Sequence, residues 1–79
     1  MRVSSLRGAY NMADLTEREL DVLKLVTLGL TNKEIAKELT VTTHTIKAHV
    51  SSIYEKLSVN NRLQAAVYAL VHELVVIQN

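Results

Sequence analysis

At 79 residues, with no cysteine, the chain has room for one small domain and lacks both a disulfide framework and a thiolate metal site. No apolar stretch approaches the roughly 20 residues that cross a bilayer, and the N-terminus lacks the charged-then-apolar order of a signal peptide; the expectation is no membrane association and a cytoplasmic location. A formal charge of +1 does not by itself point to nucleic acid, so the placement of charge has to carry that question.

Residues 1–13 mix Arg2, Arg7, Gly8 and Asn11 with isolated apolar residues and show no sustained period. They read as a flexible tail or the end of a linker, with the domain proper over 14–79. From there the chain has no proline, and three hydroxyl or amide residues are each followed three positions later by Glu or Gln: Thr16 with Glu19, Thr31 with Glu34, Asn61 with Gln64. Each pair has the form of a capping box, which satisfies orphaned backbone N–H groups at a helix start. The spacing predicts helices over 17–28, stopped by Gly29, over 32–39, from just after Thr42 to 57, and over 62–74. Four helices with short connections make an all-α four-helix bundle.

Within it, a short helix, a tight Thr40-Val41-Thr42 connection and a longer helix have helix-turn-helix spacing. On the longer helix Ile46, Val50, Ile53 and Leu57 fall on one stripe that must face the core. The opposite face carries His44, Ala48, Ser51, Ser52 and Glu55, flanked by Lys47 and Tyr54 on one side and Thr45, His49 and Lys56 on the other. Small central residues edged by donors suit a helix that enters the DNA major groove, about 12 Å wide. Lys47 can donate to guanine, Ala48 can touch a thymine methyl, and Ser51 can bond several base edges. The hydroxyls of Thr42, Thr43 and Thr45, with the N–H groups of the helix start, can hold a phosphate.

Taken together, Leu15-Thr16-Glu17-Arg18-Glu19, Gly29 through Ala36, Thr45-Ile46-Lys47-Ala48-His49-Val50, Lys56-Leu57, and Val59 with Arg62 and Ala65 resemble the LuxR-type effector domain of NarL/FixJ response regulators. The resemblance spans about residues 15–74 and implies a bacterial transcription regulator of a two-component system that binds double-stranded DNA in a sequence-specific way. It implies a recognition role for helix 3, with bases approached from Lys47, Ala48 and Ser51 and phosphates from Thr45, His49, Lys56 and Arg62. It also implies a second copy packed through helix 4 around Val67 and Val71, and an upstream receiver domain in the full-length protein. Two positions depart from expectation: Thr40 in the turn and Ser58 after Lys56-Leu57, where glycine often tolerates a positive φ.

Other readings attach to several of these residues. Arg62 can instead close helix 4 onto an acidic partner such as Glu19 or Glu34, and Tyr54 can meet a phosphate or cover the core edge. His44 and His49, five apart, do not chelate one ion as an i, i+4 pair does, and no cofactor or metal is expected. His72 reads as a dipole contact near a helix end. Helix 4 has two apolar arcs, Ala65, Ala66, Ala69 and Leu70 against Leu63, Val67, Val71 and Leu74, so burying one leaves the other uncovered. Nothing assembles a nucleophile, base or metal into a pocket, which argues against an enzyme. A protein-interaction module on the same fold is the remaining rival, and Glu55 on the helix 3 face is the feature that favours it.

Overall fold

Side-chain oxygens start all four helices of the computed structural model, which describes residues 14–77; the segment over 1–13 lies outside the described residues. The helices are α1 (Glu17–Thr27), α2 (Asn32–Leu39), α3 (Thr43–Leu57) and α4 (Arg62–Val71), and no strand occurs among the described residues. Thr16 and Glu19 form a reciprocal capping box, each bond 3.0 Å, and Thr31 and Glu34 form a second at 3.1 and 2.8 Å. Thr42 accepts the Thr45 N–H at 3.1 Å. The third expected box is incomplete: Asn61 accepts the Gln64 N–H at 2.9 Å, but the Gln64 side chain accepts from Asn60 at 2.8 Å.

All four helices also stop in one way. A residue with positive φ follows the last turn, and the next, apolar residue sends its N–H back to a carbonyl five positions earlier, the Schellman arrangement. The pairs are Gly29-Leu30, Thr40-Val41, Ser58-Val59 and Glu73-Leu74, with N–H bonds to the carbonyls of Leu25, Ala36, Tyr54 and Ala69. Leu74 is buried, and Leu30, Val41 and Val59 pack against the core. Each stop thus satisfies a loose carbonyl and adds an apolar side chain to the interior.

This overturns the expected length of the last helix, which ends at Val71 and not at 74. Glu73 takes φ +56, and the chain turns so that Leu74 and Val75 enter the core. Leu74 is therefore separated from Leu63, Val67 and Val71, with which periodicity grouped it on one arc.

Leu23, Ile35, Ile46 and Ile53 form the centre of the core, with Val22. α4 meets it through Ala65 and Ala69, both 0% exposed, and packs mainly on α1. Two alanines at i, i+4 let the helix axes come close. Four large apolar side chains of α4 stay outside: Leu63, Val67, Leu70 and Val71 are all exposed, Val71 at 69%. Leu70 thus does not follow Ala65 and Ala69 inward.

Candidate nucleic-acid interface

α2, the Thr40-Val41-Thr42 connection and α3 form the helix-turn-helix. Thr40 takes φ 60 and ψ 47, the left-handed conformation, and the turn is closed by N–H bonds from Thr40 and Val41 back into α2. α3 then buries Ile46, Val50, Ile53 and Leu57 as one stripe. The stripe fixes what faces out: His44, Lys47, Ala48, Ser51 and Glu55 are exposed and fall within an arc of about 100°. Lys47 makes no ion pair with any described residue. At the start of α3, Thr42 and Thr45 share a 3.0 Å hydroxyl contact.

The other flank is not free. Ser52, read above as part of the outward face, donates its hydroxyl to Glu19 Oε2 at 2.8 Å. Lys56 Nζ donates to Glu19 Oε1 at 2.8 Å and to the Asp14 carbonyl at 3.3 Å. Burial pushes the Glu19 carboxyl up, but the hydrogen bond from Lys56, the Thr16 N–H, the Ser52 hydroxyl and the Lys56 charge outweigh it. The net result lowers its pKa from 4.5 to about 2. Glu19 is therefore a buried anion shared by α1 and α3. Its capping role was readable from the chain, but its ion-pair partner is Lys56 and not the Arg62 considered there, and nothing in the local pattern of α3 signals that Ser52 has a partner 33 residues away.

Arg62 is engaged as well. Its Nη1 donates to Asn32 Oδ1 at 3.0 Å and its Nη2 to the Leu30 carbonyl, which ties the start of α4 to the start of α2. The partners are neutral acceptors, not the Glu19 or Glu34 considered from the sequence. Glu34 is exposed and serves as the box partner of Thr31. Tyr54 is half-buried and packs against the core. His72 stacks on Tyr68, with ring centroids 4.1 Å apart. No cluster of His, Asp or Glu among the described residues is arranged to hold a metal ion, and no helix there is long and apolar enough to cross a membrane.

Residues 13–69 match the family described as "Bacterial regulatory proteins, luxR family". The chain belongs to that family. As a luxR-family helix-turn-helix domain it is a DNA-binding module of transcription regulation. Among its relatives, the transcriptional regulatory protein LiaR of Bacillus subtilis is 52% identical over 61 residues, covering 77% of this chain and 29% of LiaR. The transcriptional regulatory protein LnrK of the same organism is 46% identical over 68 residues, covering 86% of this chain and 31% of LnrK. The response regulator protein VraR of Staphylococcus aureus is 48% identical over 74 residues, covering 94% of this chain and 34% of VraR. The crystal structure of response regulator ChrA, of a heme-sensing two-component system, superposes with a TM-score of 0.75 at 36% identity, covering 77% of this chain and 30% of ChrA. This luxR-family chain thus spans about a third of the length of the relatives it matches.

Proposed function

We propose that this chain works in the cytoplasm as the effector domain of a two-component response regulator, downstream of a receiver domain, and binds operator DNA as a pair of copies. α3 lies in the major groove with Lys47, Ala48 and Ser51 at base edges. Thr42, Thr45 and His49 meet phosphates along one wall. Lys56 and Arg62, given phosphate roles by the resemblance, have internal partners, so their main role is to brace the fold while adding positive potential nearby. The second copy packs along α4 around Val67 and Val71.

The observation that carries this reading is the uncommitted arc of α3: Lys47, Ala48 and Ser51 are exposed side by side while the neighbouring polar groups Ser52 and Lys56 are engaged by Glu19. A single unpaired cation among small side chains permits close approach to base edges and offers one strong donor. For the pair, support comes from Leu63, Val67 and Val71, which with Val59, Tyr68 and His72 line a shallow apolar groove.

The test is a titration with specific and random duplexes at several salt concentrations. Log affinity should fall against log salt with a slope of about −3 per copy, reflecting few phosphate contacts. Lys47→Ala should weaken specific binding by about 1 to 3 kcal/mol and random binding by less. Equal losses on both duplexes would make Lys47 a phosphate contact. An affinity independent of salt would overturn the groove reading altogether.

A further inference from the structure

Apolar packing fixes where a helix lies better than how far it is turned about its own axis, because the attraction has no direction. The buried stripe of α3 has that weakness, and base reading is sensitive to it. At the roughly 5 to 6 Å radius of a helix with its side chains, a turn of about 10° moves a surface atom by about 1 Å. A hydrogen bond to a base edge does not survive that displacement.

The directional contacts that resist such a turn converge on one carboxylate. Glu19 Oε2 holds the Ser52 hydroxyl and Oε1 holds Lys56 Nζ, both at 2.8 Å. Ser52 and Lys56 stand one turn apart on the same side of α3, so the two bonds act along a line parallel to the helix axis. Oε1 also accepts the Thr16 N–H at 3.0 Å, which anchors the carboxylate to the start of α1. It cannot follow α3 if α3 rotates. Burial of Glu19 to 5% exposure removes the water that would otherwise replace these partners.

We propose that Glu19 is a positioning residue for DNA recognition: through Ser52 and Lys56 it sets the rotation of α3, and so the alignment of Lys47, Ala48 and Ser51 with the base edges. The inference rests on the reading of those three residues as base contacts. Ser52 is the member to remove, because it is neutral and lies outside the core stripe. Its loss leaves the Lys56 ion pair and the Thr16 cap in place.

The experiment uses the full 79-residue chain. A duplex enriched from a random-sequence library by the unaltered chain serves as the specific site, beside an unselected duplex. Ser52→Ala should keep its helical circular dichroism and its affinity for unselected DNA, while the ratio of specific to unselected affinity falls about five- to tenfold. Ser52→Thr, which retains the hydroxyl, should restore the ratio. A merely structural role would lower the melting temperature and leave the ratio in folded protein unchanged. An unchanged ratio in Ser52→Ala, or an equal loss in Ser52→Thr, overturns the proposal. Lys47→Ala, run alongside, separates the two ideas: a ratio unaffected there removes Lys47 from base reading, whereas the Ser52 pair alone decides the role of Glu19.

Discussion

A carboxylate taken out of water is stable only if its partners replace the lost hydration, and at Glu19 they more than do so. Its pKa of about 2 lies below the ordinary 4.5, so the folded state holds the charged form more tightly than the unfolded chain does. The contribution is fully present above pH 4.5 and is lost as pH falls through about 2, and a displacement of that size corresponds to about 3 kcal/mol. Glu19→Gln should therefore destabilise the domain by about 2 to 3 kcal/mol at neutral pH. The gap from wild type should narrow steadily between pH 5 and pH 2, as measured by urea unfolding. A gap independent of pH would mean that shape, and not charge, holds α1 to α3. At this scale the chain was partly legible. Glu19 announces its cap through Thr16, three residues away, but Ser52 carries no local mark of its tertiary partner.

Helix stops show how one backbone geometry is met by different residues. Gly29 adopts φ +95 freely, whereas Thr40 at φ 60 and Ser58 at φ 57 carry a side chain in the same left-handed region. Such a side chain costs about 1 kcal/mol. Thr40→Gly and Ser58→Gly should each stabilise by about 0.5 to 1 kcal/mol, since the gain is partly offset by a more flexible unfolded chain. Gly29→Ala should do the reverse by a similar amount. A Cβ there meets nothing within 4 Å, so the loss would be conformational and not steric. Thermal melts would resolve all three, because about 1 kcal/mol shifts the midpoint of a domain this small by about 4 to 8 °C. The Gly29 stop is readable from glycine alone, and the departures at Thr40 and Ser58 are visible as non-glycine residues where a turn is due. Glu73 gives no such signal; only burial of Leu74 makes that turn worthwhile, and burial is a property of the assembled core.

For the molecule as a whole, the four-helix plan follows from caps and periodicity, while the orientation of α4 does not. Its two apolar arcs compete on equal terms in the sequence. The alanine arc wins because Ala65 and Ala69 allow close approach to α1, which leaves Leu63, Val67 and Val71 uncovered. In the proposed pair those residues meet their own copies across a two-fold axis. Val67→Glu and Val71→Glu should each leave binding to a single half-site intact and remove cooperative binding to two half-sites about 10 bp apart, since a charge in an apolar seam is costly to desolvate. Circular dichroism must show each variant folded, and cooperativity that persists in both would locate the contact elsewhere. The turn after α4 has a different consequence. Because Leu74 and Val75 are buried with the hydrophobic core, the cooperative folding unit outlasts its last helix. A fragment trimmed at Val71, the visible end of α4, would keep every helical residue and still lose part of what holds them together.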